Sequence, residues 1–161
     1  MTYSISIRNA TPQDTSIIFD LIKQLADFEK LSHEVKATVK NLEDTLFGRE
    51  FSPKIIIAEA NQKSVGFALF FFNYSTFLAR PGIYLEDLFV IPSMRNQGIG
   101  LKLLSNIAKI AVENNCGRIE WSVLKWNVHA KRFYERLKAT SQTEWEVYRL
   151  TGENIIHLSH T

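Results

Sequence analysis

The stretch Val90-Ile91-Pro92-Ser93-Met94-Arg95-Asn96-Gln97-Gly98-Ile99-Gly100 joins an apolar, strand-like run to a long amphipathic helix. Before it, Tyr84 to Ile91 is apolar except at Glu86 and Asp87. After it, Leu103, Leu104, Ile107, Ala108 and Ala111 recur at helical spacing, with a stop expected at Gly117. Two glycines let the backbone come close to a ligand. The helix start adds N–H groups without acceptors and the positive end of a dipole, which together suit a phosphate. Arg95 adds a fixed positive charge. A P-loop requires Gly-Lys-Ser/Thr, but Leu101-Lys102-Leu103 follows Gly100. A dinucleotide fingerprint requires a third glycine where Leu103 stands. By itself, the Gly98-Ile99-Gly100 pair fits a plain strand–helix turn equally well.

Outward from this loop, the patterning alternates irregularly between strand and helix. Ser4 to Arg8 alternates polar and apolar, as a strand does. Thr11-Pro12-Gln13-Asp14 supplies a cap, an N1 proline and an acid, and opens a helix running to about Phe28. A second helix is expected over Val35 to Phe47, ending at Gly48. Lys54 to Glu59 and Ser64 to Phe72 read as strands around a turn at Asn61-Gln62. Arg118 to Leu124 reads as a strand, Ala130 to Leu137 as a helix, and Glu144 to Leu150 as a final strand. The order predicts an α+β domain with a mixed, mainly antiparallel central sheet flanked by helices.

Composition bounds the function. With 161 residues, 45% of them hydrophobic, the chain can build one core without disulfides or metals, and no linker divides it. A net charge of +2 gives no case for nucleic acid or membrane as the main partner. The lone Cys116 reads as a small hydrophobe closing a helix. His33, His129, His157 and His160 lack metal-ligand spacing, so no metal is expected. The opening residues show no leader and the longest apolar run, Phe67 to Phe72, is too short to span a bilayer. A cytoplasmic location is the expectation.

Arg95-x-x-Gly98-x-Gly100 after the Val90-x-Pro92 strand end resembles the acyl-CoA pyrophosphate loop of the GNAT superfamily of N-acetyltransferases. Further blocks resemble spermidine/spermine (diamine) N-acetyltransferases. They are Ile7-Arg8 to Ala10-Thr11, Leu21 to Ala26, Val65-Gly66-Phe67-Ala68, Tyr84-Leu85-Glu86-Asp87-Leu88-Phe89-Val90, and Trp126-Asn127 with Phe133-Tyr134. The resemblance covers nearly the whole chain. It implies the GNAT fold, acetyl-CoA as co-substrate and a homodimer.

It also implies site residues. The loop Arg95, Asn96, Gln97, Gly98, Ile99 and Gly100 would hold the pyrophosphate, through the N–H groups from Gln97 to Gly100. The strand Leu88, Phe89 and Val90 would pair its backbone with the pantetheine arm, as an added strand does. Asn127 would bond the same arm, and it reads equally as an N-cap. Tyr134 matches the family's general acid, although Ala130-Phe133-Tyr134-Leu137 alone reads as core packing. One departure stands out: Lys138 follows the helix where the family usually has glycine, and a left-handed cap at lysine costs about 1 kcal/mol.

An ammonium cannot attack a thioester until it loses a proton, so a base is required. Glu86 is the candidate, because desolvation in an apolar strand raises a carboxylate's pKa. It reads alternatively as the ammonium's binding partner or as a structural ion pair. Asp87 should point to the opposite face unless a bulge intervenes. Phe28-Glu29 matches a substrate-contacting position of the diamine acetyltransferases, while Glu34, Glu43 and Asp44 read as surface charge. Direct attack in a ternary complex needs no nucleophile, and the chain shows no Ser/His/Asp or Cys/His arrangement. The readings that stay open are a polyamine or diamine acetyltransferase, one for lysine-like amino acids (thialysine) or protein amines, and a non-enzymatic acyl-CoA-binding module.

Overall fold

The computed structural model describes residues 4–50 and 52–161. Met1 to Tyr3, read above for a leader, lie outside them. The chain forms two compact units, one ending at Ser122 and one running from Val123 to Thr161. The helices are α1 (Thr15–Phe28), α2 (Val39–Leu46) and α3 (Ile99–Glu113) in the larger unit, and α4 (Val128–Arg136) and α5 (Glu153–Ser159) in the smaller.

The larger unit carries a five-stranded sheet of β1 (Ile5–Asn9), β2 (Lys54–Ala60), β3 (Lys63–Ser75), β4 (Arg80–Val90) and β5 (Ile119–Trp121), in that spatial order. The first four strands run antiparallel, and β5 lies parallel to β4. A parallel neighbour requires a crossover, which α3 provides. This is the mixed, mainly antiparallel sheet that the patterning predicts.

Both faces of the sheet are covered. Ile57, Phe67 and Phe89 stand side by side across β2, β3 and β4, as do Ile55 and Leu69 across β2 and β3. They form one core with Ile18 and Leu21 of α1 and Leu46 of α2. Residues alternating with them, such as Ile56, Ala68, Phe70, Ile83 and Leu85, are buried on the other face, where α3 packs through Leu103 and Ile107. Fully burying each large side chain contributes about 1.5–3 kcal/mol. At the sheet edge, Arg8 fastens β1 to its surroundings. It forks onto both oxygens of Asp14 at 2.8 Å and donates through Nε to Glu59 at 2.8 Å. The Arg8 hydrogen bond holds the Asp14 acid down at about 2.

Local chemistry moves several boundaries. α2 starts later than the expected Val35, because Thr38 caps it: its hydroxyl accepts from the Asn41 N–H, and Asn41 returns the bond to the Thr38 N–H. α3 stops before Gly117, with Asn115 in the left-handed conformation at φ 53°. The expected strand at Glu144 to Leu150 is corrected. This segment forms no strand, and Trp145, Val147 and Tyr148 are largely exposed. Alternation describes a strand only where a neighbour accepts its ladder, and no described strand pairs with it. α5 beyond it, which the patterning did not suggest, is seven residues long and wholly exposed.

Candidate active site

β4 ends at Val90, a short turn follows at Pro92–Met94, and Gly98 opens α3. Asn96 and Gly98 both take left-handed conformations, at φ 61° and 77°. No side chain caps α3, and no backbone acceptor meets the N–H groups of Gln97 to Gly100 among the described residues. A Cβ at Gly98 would meet nothing within 4 Å, so the loop faces open space. A row of unpaired N–H groups at a positive dipole end is a cradle for a pyrophosphate.

The sequence reading gave Arg95 a direct role at the phosphate, but its guanidinium is engaged elsewhere. Nε donates to the Val90 carbonyl at 2.9 Å. The guanidinium carbon stands 4.2 Å from the Phe28 ring centre and 5.6 Å from that of Phe89. Arg95 thus ties the loop to the end of α1 by a cation–π stack. Lys102 likewise turns to the Ile5 carbonyl, at 3.5 Å.

Along β4, pairing with β5 covers only Ile83 to Leu85. From Glu86 onward, no described strand pairs with that edge of β4. The departure coincides with a β-bulge. Phe70 pairs with Leu85 and Leu69 with Asp87, so Glu86 is the extra residue. The bulge exchanges the faces on either side of it. Leu85 faces α3, whereas Asp87 faces α1 beside Leu69 and two residues from Phe89.

This revises the chemistry expected of the two acids. Glu86 is exposed on the bulge, outside the apolar strand interior expected of it. Asp87 is the half-buried acid, and its pKa is pushed up to about 6. Burial is the main cause, followed by the like charges of Glu86 and Glu29. Asp87 was missed as a site residue, although Leu85-x-Asp87-x-Phe89 placed it among buried positions. Glu29 follows the last residue of α1, half-buried beside Phe28, and burial raises its pKa as well. Glu29, Glu86 and Asp87 therefore form an acidic cluster, and none of the three has an ion-pair partner among the described residues. Glu34 and Asp44, by contrast, pair at the surface with His33 and Lys40.

In the smaller unit, Asn127 caps α4, its side-chain oxygen accepting from the Ala130 N–H at 3.1 Å. Tyr134 is half-buried, its ring 5.4 Å from that of Phe133. Lys138 stands in the left-handed conformation at φ 65°. Among the described residues, no group of three or more His, Cys, Asp or Glu is placed to hold a metal ion. Nor is any helix among them long and apolar enough to cross a membrane.

The profile of the acetyltransferase (GNAT) family matches residues 19–138. The chain belongs to the GNAT acetyltransferase family. Known members lie close to this GNAT chain along its length. Thialysine N-epsilon-acetyltransferase of Mus musculus is 37% identical, covering 97% of this chain and 98% of that protein. L-ornithine N5-acetyltransferase NATA1 of Arabidopsis thaliana is 36% identical, covering 91% of this chain and 84% of that protein. Among solved structures, aminoglycoside N-acetyltransferase AAC(6')-Iy in complex with CoA shares the fold, with a TM-score of 0.73 at 19% identity. It covers 93% of this chain and 97% of that one. The chain is thus an N-acetyltransferase of the GNAT type, a family that uses acetyl-CoA.

Proposed function

We propose that residues 1–161 act as one catalytic domain that moves the acetyl group of acetyl-CoA to a primary amine of a small molecule. The observation that carries this is the loop from Arg95 to Gly100, whose N–H groups are open among the described residues, beside a β4 edge that no described strand pairs beyond Leu85. The loop N–H groups take the pyrophosphate, and the backbone of Leu88 and Val90 takes the pantetheine arm. Acetyl-CoA supplies an activated acyl carbon as a thioester.

The acceptor arrives as a cation, and Glu29, Glu86 and Asp87 attract it. Asp87, with its acid near 6, is suited to take the proton at neutral pH; Glu86 on the bulge binds the ammonium or relays that proton through water. The freed amine nitrogen attacks, the carbon–sulfur bond breaks, and the thiolate takes a proton from the Tyr134 hydroxyl. Asn127, while capping α4, retains its amide N–H groups for the cofactor arm. No residue of the chain needs to carry the acetyl group. Relatives named for ornithine, thialysine and spermidine/spermine support diamines and lysine-like amino acids as the two acceptor classes. A cytoplasmic homodimer is the form in which we expect it to act.

Gly98→Asp tests the cofactor site. The added carboxylate enters open space at a left-handed position that costs an aspartate about 1 kcal/mol, so a thermal melt first checks that the variant folds; its charge opposes the pyrophosphate. Calorimetry should show acetyl-CoA binding abolished. Unchanged affinity in the folded variant would remove the loop from the site.

A further inference from the structure

Next to Asp87, the sheet presents a row that lies outside the core under α1 and α2. Leu69 pairs with Asp87, and Phe71 stands two residues further along β3 on the same face. Phe71 pairs with Tyr84 on β4, and Tyr84 with Glu120 on β5. Neither Phe71 nor Tyr84 belongs to the core cluster that holds Leu69. The bulge at Glu86 separates this row from Asp87, and no other residue of that face of β3 or β4 intervenes.

The two rings form a shelf. Their centres are 5.4 Å apart and their planes 29° apart, a stacked arrangement. The Tyr84 hydroxyl shares a hydrogen bond with Ser122 Oγ at 2.8 Å, which fixes the ring in place. Phe71 is 40% exposed, so a ligand can lie on its face. Beyond Tyr84 the row ends on Glu120, whose carboxylate is already paired with Arg118 at 2.8 Å. The row therefore offers apolar surface between an acid cluster and a neutralised pair. An ammonium held at Asp87 and Glu86 stands about 7 Å, two strand residues, from this surface. Methylamine is too short to cross that distance, whereas the chain of butylamine reaches over the rings.

We propose that the Phe71–Tyr84 pair is the shelf on which the acceptor's carbon chain lies, so that these two residues set the enzyme's preference for chain length. This rests on the placing of the amine at Glu29, Glu86 and Asp87. The acid cluster takes the charged end, and the rings remove methylenes from water. Diamines and lysine-like amino acids both carry such a chain, so the shelf serves either class.

Methylamine, ethylamine, propylamine and butylamine share nearly the same basicity, so their relative kcat/KM values read the chain and not the proton. CoA thiol release gives these values; where one of them is not turned over, its inhibition constant against a panel amine that is turned over gives the same comparison. Each added methylene should gain about twofold on a surface open at one side, so butylamine should exceed methylamine by about eightfold in the wild type. In Phe71→Ala that ratio should fall to about twofold or less, and Phe71→Leu, which restores an apolar side chain, should recover part of it. Tyr84→Phe loses the bond to Ser122 but keeps the ring, so it should retain most of the ratio. A thermal melt checks each variant; if Phe71→Ala does not fold, Phe71→Gln reads the same loss with a polar side chain of greater length. A wild-type series without gain along the chain, or a ratio that the folded Phe71 variants leave unmoved, overturns the proposal while the amine acetyltransferase reading stands. Absence of thiol release with every amine overturns that reading and this inference together.

Discussion

At the scale of single residues, Asp87 is the acid that the fold perturbs most in the cluster with Glu29 and Glu86. Burial and two like charges push its acid up to about 6. If it accepts the amine's proton, the rate should fall below that pH, and Asp87→Asn should remove the acidic limb along with most of the activity. Glu86→Gln removes a neighbouring negative charge, which lowers the Asp87 pKa and moves the limb to lower pH. A limb that survives Asp87→Asn would return the base role to Glu86. Stability provides an independent check. The folded pKa lies above the ordinary 3.8, so protonated Asp87 supports the fold below that value, and the support is lost as pH rises through about 6. Asp87→Asn should therefore melt higher than the wild type at pH 8, by up to about 3 kcal/mol, and equally at pH 3. A stability difference that does not change between these pH values would contradict the burial of this carboxylate.

At the scale of elements, three helices end in the same way. After α1, α3 and α4, the residues Lys30, Asn115 and Lys138 take left-handed conformations, with φ of 61°, 53° and 65°. In each, the next N–H reaches back to the third-last helical carbonyl: Leu31 to Ala26, Cys116 to Ala111, and Ala139 to Tyr134. This is the Schellman pattern, which favours glycine or asparagine at the turning residue. Asn115 suits its place, whereas the two lysines bear strain. Lys138→Gly should raise stability by about 0.5–1 kcal/mol, read from the denaturant midpoint, and Asn115→Gly should change it less. Equal effects would contradict the assignment of strain to lysine. The sequence alone disclosed the Lys138 cap, because a family glycine was missing there, but not the Lys30 cap, which carries no such mark. The β4 bulge was hidden for a different reason. It exists in the count of residues between two strands, Leu69-Phe70 against Leu85-Glu86-Asp87, and no single strand records that count. Faces therefore exchanged unseen, and the buried acid was placed one residue early.

At the scale of the whole molecule, the legible parts are those that local chemistry determines. Alternation in Lys54 to Phe72 gave two strands of the sheet, and the apolar stripe from Leu103 to Ala111 gave α3. The Arg95 to Gly100 motif gave the left-handed Gly98 and the uncapped start of α3, since a glycine conformation and a helix start are local features. Long-range placement was not legible. Arg95 stacks on Phe28, sixty-seven positions earlier, and Glu144 to Leu150 has strand patterning without a strand beside it. The acid cluster likewise gathers residues from α1 and β4 that no spacing rule connects. What unites these parts is the claim that the chain carries acetyl from CoA directly to a small amine. The most direct test is CoA thiol release from acetyl-CoA with a panel of diamines, basic amino acids and peptides, run for the wild type and Tyr134→Phe. The account predicts thiol formed one-for-one with N-acetylated small amine, and a rate lower by ~10²-fold in the variant. Thiol release with peptides alone, or with no acceptor in the panel, would contradict it.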